Sequence, residues 1–360
     1  MMSKKVIISG GGTGGHLFPA LAVGERLKMR DPSLEITFVG SSRQLEKNLM
    51  ERYQAQFIPL KIEGIKGMRW KTLKSLAILP LSFLKSFRLL RGLKPDLVIG
   101  VGGFSSGPIV LLASWMKIPT IIMEQNFRPG FTNRLLIPWV DKAVAAFERS
   151  LPYFKGKGEF IGNPTREEFL KVTPKPRNNK LSILVFGGSQ GSRFLNKGIT
   201  DALPFLGRVK NQLHITHQTG EADCAWVKDL YIQNEFGEST ISPFFFDMAT
   251  QFQKSDLVVC RAGATTIAEL IAARKAAVLI PFSKATDNHQ EINARELERI
   301  QGAEIILEEQ FRPENFSEKI IDFLGHKEKL DHMEKNLRKL KTEDASEKIS
   351  TLCFDLMDKE

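Results

Sequence analysis

The sequence predicts an α/β protein of two Rossmann-like units in tandem, and three observations lead there. Short β-branched apolar runs alternate with helical stretches along most of the chain, the pattern of parallel sheets covered by helices. Glycine-rich turns follow several of these runs directly and open helices. At 360 residues the chain exceeds the roughly 250–300 at which a single core stops growing, so two domains facing a ligand-holding cleft are expected.

In the first unit, strands are expected near residues 4–9, 35–39, 57–60, 96–100, 120–123 and 142–146. A passage over 162–180, broken by Pro164, Pro174 and Pro176, interrupts the rhythm and marks the boundary between domains 1–163 and 164–341. The pattern restarts with strands near 181–186, 214–219, 240–242, 257–260, 277–280 and 304–307. After Pro313 the chain reads as polar helix. Its last segment aligns Ile349, Leu352, Cys353 and Leu356 on one face. Such a stripe needs a partner, and a helix over about 342–360 is expected to pack back on the first unit.

Composition narrows the class. With 42% apolar and 26% charged residues and no low-complexity tract, both units should fold. Cys224, Cys260 and Cys353 have neither the pairing of a disulfide framework nor the spacing of a zinc site, which suits a reducing cytosol. Lys4 and Lys5 lead straight into a strand, without the apolar core of a signal peptide. The longest apolar stretch, 76–84, holds Pro80 and is far shorter than the roughly 20 residues of a membrane span.

A formal charge of +10 implies an anionic partner. From Lys61 to Lys94 nine Lys or Arg face one acid, Glu63, interleaved with Trp70, Leu79, Phe83 and Phe87 among other apolar residues. This mixture suits a helix lying in a membrane interface, cations on phosphates and rings toward acyl chains. The alternative is a core helix with a solvated rim. No nucleic-acid reader motif accompanies the charge.

The glycine turns carry the chemistry. Residues 10–15 fit G-x-G-x-x-G between a strand and a helix, with His16 and Pro19 at the helix entrance. An NAD site would want an acid closing the second strand, which instead runs into Gly40, Ser41, Ser42 and Arg43; Arg43 leaves an NADP enzyme open. A second turn spans Gly102 to Pro108. The third, Gly187-Gly188-Ser189-Gln190-Gly191, also fits a hydrolase nucleophile elbow with Asp287 and His289 downstream. Those two share one loop, whereas a triad draws its acid and base from separate loops. Finally, a strand ending in Cys260 breaks at Gly263 into a helix. Main-chain amides of residues 263–266 there suit a phosphate, and Glu269 suits either a ribose diol or the helix dipole.

Taken together, Gly11-Gly12-Thr13-Gly14-Gly15-His16, Gly102-Gly103-Phe104-Ser105-Ser106-Gly107-Pro108, Glu124-Gln125-Asn126, Gly162-Asn163-Pro164, the 187–191 turn and Cys260-Arg261-Ala262-Gly263-Ala264-Thr265-Thr266 resemble the MurG family. That family comprises transferases that move N-acetylglucosamine from UDP-N-acetylglucosamine onto lipid I to give lipid II. The resemblance covers about residues 4–300 and implies the GT-B arrangement, with acceptor on the first domain and UDP-sugar mainly on the second.

It also implies donor contacts at Thr13, Gly14 and Gly15, a sugar contact at Asn126, and donor binding at Arg166 and Ser189. The backbone of Phe245 falls at the uracil site. Ala264, Thr265, Thr266, Ile267, Ala268 and Glu269 form the phosphate- and ribose-binding helix start, and Gln290 faces the sugar. The family pattern has a Gln pair there, and His289 replaces its first member.

The implied partners are UDP-N-acetylglucosamine, a lipid-linked N-acetylmuramyl-pentapeptide and the anionic cytoplasmic face of the membrane, with no nucleic acid. No cofactor is required, a divalent cation being at most a stimulant, and no protein metal site is expected. The reaction would be an inverting displacement with His16 as the candidate base; a purely phosphate-binding or acceptor-orienting His16 stays open. Two other classes remain at this point: an NADP-dependent oxidoreductase and a non-catalytic peripheral lipid-binding module.

Overall fold

Strands rich in Val, Ile and Leu, buried on both faces, can only assemble as sheets covered by helices on each side. In the computed structural model of the chain they form two such sheets. The structure describes residues 3–11, 14–41, 46, 47, 50, 51, 53–60, 69–173, 176–340 and 344–358, with residues 69–79 described by backbone only. One unit comprises Met1–Arg166 and Asp344–Glu360, the other Glu167–Glu343.

The first unit holds β1 (Lys5–Ser9), β2 (Glu35–Gly40), β3 (Gln56–Pro59), β4 (Leu97–Gly100), β5 (Thr120–Glu124), β6 (Lys142–Ala145) and β7 (Gly158–Phe160). All pair in parallel in the order β3-β2-β1-β4-β5-β6-β7. The second holds β8 (Leu181–Phe186), β9 (Leu213–Gln218), β10 (Thr240–Ser242), β11 (Leu257–Cys260), β12 (Ala277–Leu279) and β13 (Ala303–Ile305), parallel in the order β10-β9-β8-β11-β12-β13. In both sheets the winding reverses beside the first strand, between β1 and β4 and between β8 and β11. Loops on either side of such a reversal diverge and leave a crevice at the strands' carboxyl ends, where ligands of open α/β sheets bind.

All twelve expected strands are present, each within two residues of the reading. The edge strand β7 is an addition. Three residues containing a glycine, with Phe160 47% exposed, give no hydrophobic alternation to detect.

The C-terminal helix, Ala345–Met357, lies against the Gly14–Arg30 helix of the first unit. Ile349, Cys353 and Leu356 enter the core around Leu17, Val23 and Leu27. Asp344 caps the helix by accepting from the amides of Ser346 (3.0 Å) and Glu347 (3.3 Å), and it also pairs with Arg26. A capping residue that simultaneously makes an ion pair fixes where the chain turns back.

Of the basic, apolar stretch, residues 61–68 and the side chains of Trp70 and Leu79 lie outside the described residues. The helix Arg69–Leu93 follows. From Pro80 onward it buries Ser82, Ser86 and Leu90, spaced four apart, and exposes Leu81, Leu84 and Phe87. Leu89, Leu90 and Leu93 instead turn toward the core of the first unit. Among the described residues no helix is long and apolar enough to cross a membrane.

Candidate active site

At the carboxyl end of the first sheet two glycine turns interlock. Gly103 takes φ +80°, and a Cβ there would lie 2.4 Å from the Gly11 carbonyl oxygen; Gly102 takes φ +92°, and a Cβ there would lie 2.9 Å from Nε2 of His16. Only glycine allows both the left-handed backbone and the contact. His16, in the first turn of the Gly14–Arg30 helix, therefore lies directly over the turn that follows β4. Ser106 Oγ donates to the Gly103 carbonyl at 2.9 Å and Ser9 Oγ to the Ser105 carbonyl at 3.2 Å, which holds that turn on the sheet.

The turn after β5 is organised by a buried acid. The Glu124 carboxyl accepts from the Asn126 amide (3.0 Å), Asn126 Nδ2 (3.1 Å), the Gly130 amide (2.9 Å) and Asn133 Nδ2 (2.9 Å). Burial pushes its pKa above the usual carboxylate range, against these hydrogen bonds. Asn126 is thus oriented through its own side-chain amide. Gln125, 2% exposed, donates from Nε2 to the Val101 carbonyl at 3.1 Å, while its Oε1 faces Gly102 and has no hydrogen-bond partner among the described residues. Of the Glu124-Gln125-Asn126 motif the sequence marks only Asn126 as a contact residue; the roles of Glu124 and Gln125 emerge with the fold.

Gly14 and Gly15 form the helix start beside His16, and Thr13 lies outside the described residues. Arg166 belongs to the first unit, where its guanidinium stands 5.1 Å over the Phe18 ring of the His16 helix. A buried acid does lie near the end of β2: the Glu46 carboxylate, 1% exposed, sits within 2.6 Å of where a Cβ on Gly11 would be. It accepts from Ser41. In sequence it lies beyond Arg43 and so does not read as an acid closing β2.

In the second unit the 187–191 turn is locked to the turn after β9. A Cβ on Gly191 (φ +75°) would fall 1.8 Å from the Thr219 carbonyl oxygen, and one on Gly220 2.2 Å from that of Gln190. Ser189 and Gln190 stand exposed at the tip. Gln218, 2% exposed and missed by the sequence reading, donates from Nε2 to the Gly188 carbonyl (3.0 Å) and accepts from the Phe245 amide (2.8 Å). That hydrogen bond fixes the Phe245 backbone and leaves its carbonyl oxygen as the remaining main-chain group.

The helix Ala264–Ala273 starts after Gly263, which offers no side-chain cap, and no acid stands in its first turn. Ala264, Thr265 and Thr266 are half-buried at this positive end; Ile267, Ala268 and Glu269 are buried. The charge of Glu269 adds to burial in pushing up the pKa of the Cys260 thiol, which places it close to the end of β11. Gln290 Oε1 accepts from the amides of Phe282 (3.0 Å) and Ala262 (3.3 Å), leaving its amide nitrogen as the outward donor. His289 Nδ1 contacts the Thr286 carbonyl at 2.6 Å and hence donates to it. A hydrolase triad would place that nitrogen on an acid. Among the described residues no group of His, Cys, Asp and Glu gathers as a metal site.

Comparison with known proteins agrees with this geometry. Residues 6–145 match the glycosyltransferase family 28 N-terminal domain and residues 182–349 the family's C-terminal domain. A relative from Myxococcus xanthus is 42% identical over 98% of this chain and 93% of its own length; one from Syntrophus aciditrophicus is 41% identical over 99% of each. Both carry the name UDP-N-acetylglucosamine–N-acetylmuramyl-(pentapeptide) pyrophosphoryl-undecaprenol N-acetylglucosamine transferase. The crystal structure of Acinetobacter baumannii MurG superposes with a TM-score of 0.77 at 29% identity, covering 98% of this chain and 99% of that one. Near-complete coverage, two matched domains and two parallel α/β units of the GT-B type leave one assignment: the chain belongs to the MurG family within glycosyltransferase family 28.

Proposed function

We propose that this chain moves N-acetylglucosamine from UDP-N-acetylglucosamine to the 4-hydroxyl of the N-acetylmuramyl sugar of undecaprenyl-pyrophosphoryl-linked pentapeptide, converting lipid I to lipid II. The observation that carries this reading is 42% identity, sustained over 98% of the chain, with a relative named for that reaction. The acceptor oxygen attacks the anomeric carbon, the bond from that carbon to the diphosphate oxygen breaks with inversion, and UDP leaves. The hydroxyl proton passes to His16. A transfer assay with labelled donor and a lipid-linked acceptor tests the reading: labelled disaccharide lipid is the expected product, and its absence from folded protein contradicts it.

The second unit supplies the donor contacts. Amides of Ala264, Thr265 and Thr266 meet the diphosphate at the positive end of their helix, which counters the charge that grows on the leaving group. Ser189, the Phe245 backbone and Gln290 take the phosphate, uracil and sugar roles, Glu269 the ribose. Gly14, Gly15, Asn126 and Arg166 contribute from the first unit, as does Thr13. Glu269→Ala should weaken UDP binding by about 1.5–3 kcal/mol, the worth of a hydrogen bond to a charged group; calorimetry that finds the affinity unchanged removes the ribose role.

The acceptor is confined to a membrane, and the first unit has a surface suited to one. Three neighbouring helices, Arg69–Leu93, Ser106–Trp115 and Phe131–Leu136, expose Leu81, Leu84, Phe87, Trp115, Phe131 and Leu135. Trp115 and Trp139, both more than half exposed, meet edge to face at 6.1 Å. Lys85, Arg88, Arg91 and Arg134 are exposed on the first and third of these helices. Helices that expose both large apolar side chains and cations bind an anionic bilayer by burying apolar area and pairing with headgroups. This supports a peripheral enzyme on the cytoplasmic face. Trp115→Ser with Trp139→Ser should reduce sedimentation with anionic vesicles several-fold without lowering UDP affinity; equal sedimentation counts against the surface.

A further inference from the structure

Behind the donor contacts of the second unit lies a charged clasp. Arg261, 8% exposed, follows β11 and sends its guanidinium to three other loops. Nε and Nη2 donate to Ser192 Oγ at 3.1 and 2.8 Å, just after the 187–191 turn. Nη1 donates to the carbonyls of Ile280 (3.0 Å) and Pro281 (3.3 Å), after β12. Nη2 also pairs with Glu308 Oε1 at 2.5 Å, after β13. The Phe194 and Phe282 rings each have their centroid 5.5 Å from the guanidinium carbon. The other oxygen of Glu308 accepts from the Ser283 amide at 3.2 Å and from Ser283 Oγ. Burial opposes the charge on Glu308, but Ser283 and Arg261 outweigh it and hold the carboxyl below its usual range.

This arrangement is directional. Ser192 Oγ is also the acceptor that caps the Arg193–Leu206 helix, through the Leu195 amide at 3.4 Å. Arg261 therefore fixes both the exit of the Ser189 turn and, two residues along its own chain, the Gly263 entry to the phosphate-binding helix. Phe282 is tied twice, by its neighbour Ser283 to Glu308 and by its own amide to Gln290.

We propose that Glu308 is a positioning residue for the nucleotide-sugar site, acting through Arg261 and Ser283 to hold the Ser189 turn, the Gly263 helix start and the Phe282–Gln290 segment in register. The inference rests on the donor being bound by the second unit. Its effect is distinct from simple electrostatics, since deleting an acid near a diphosphate site would by itself tighten anion binding.

Glu308→Gln keeps the shape and one acceptor but loses the charge. It should raise both the UDP dissociation constant and the donor KM about tenfold, equivalent to ~1.4 kcal/mol, with kcat at saturating donor changed by less than about twofold. Arg261→Lys retains the charge without the planar fork and should shift KM in the same direction. Ser283→Ala, which leaves the ion pair in place, should raise KM about threefold and decides the matter if Glu308→Gln does not fold. Unchanged or tighter UDP binding in folded variants, with only a lowered melting temperature, overturns the proposal. Wild-type protein that failed to bind UDP would instead overturn the donor assignment.

Discussion

His16→Ala should lower turnover at saturating donor and acceptor by about 10²–10⁴-fold, the usual contribution of a positioned general base, while UDP affinity stays at the wild-type value. The expectation follows from where the ring stands. It rises from the first helical turn after β1 and lies against Gly102, so it belongs to the converging turns of the first unit, whereas the amides assigned to the donor diphosphate begin at Gly263 in the second. A histidine that only oriented the acceptor would give a different pattern, a raised acceptor KM with kcat largely kept. His16→Gln separates the two, because it preserves hydrogen bonding and abolishes proton uptake. A fully active alanine variant removes His16 from the chemistry.

The second large effect concerns acid stability. His217 is completely buried beneath the locked turns of the second unit, with Nδ1 3.1 Å from the Tyr231 hydroxyl and Nε2 3.1 Å from Asn196 Oδ1. Asn196 Nδ2 donates to the Thr219 carbonyl (2.8 Å) and to Asp223 (2.9 Å), so its oxygen must be the acceptor toward His217. The imidazole is therefore neutral with its proton on Nε2, and Tyr231 donates to Nδ1. Burial lowers its pKa from 6.5 to about 3. Between those values the unfolded chain binds a proton that the folded chain does not, so the stability that neutral His217 contributes is fully present above about pH 6.5 and is lost as the pH falls toward 3.

The slope is about 1.4 kcal/mol per pH unit, or about 2 kcal/mol between pH 6.5 and 5. Urea unfolding of the second unit's signal at pH 7 and pH 5 should show that loss in wild type and a smaller one in His217→Gln. Equal losses in both would contradict the burial of a neutral His217. Because Asn196 reaches Thr219, whose carbonyl lies against Gly191, acid should also loosen the turn that carries Ser189.

The sheets were readable from the chain because their strands are buried on both faces, and such strands are written as unbroken apolar runs such as Leu97 to Val101 and Leu257 to Cys260. The apolar stripe of the last helix was readable for the related reason that its period is helical. What resisted reading was set by topology. Arg261 was visible in its motif, but its partner Glu308 comes beside it only because β12 and β13 follow β11 in the same sheet. Gln218 and Glu124 look like ordinary polar strand ends until the neighbouring turns close over them. Trp115 and Trp139 are separated in sequence and meet only when the Ser106–Trp115 and Phe131–Leu136 helices pack together. Periodicity reports which face of an element is buried; it carries nothing about which loops a parallel sheet will bring side by side.

A crystal structure of the chain with UDP shows where the diphosphate binds. The diphosphate should lie within hydrogen-bonding distance of the main-chain nitrogens of Ala264, Thr265 and Thr266, with the ribose hydroxyls on Glu269. A diphosphate bound elsewhere on the chain, with the Gly263 helix start untouched, would contradict the account.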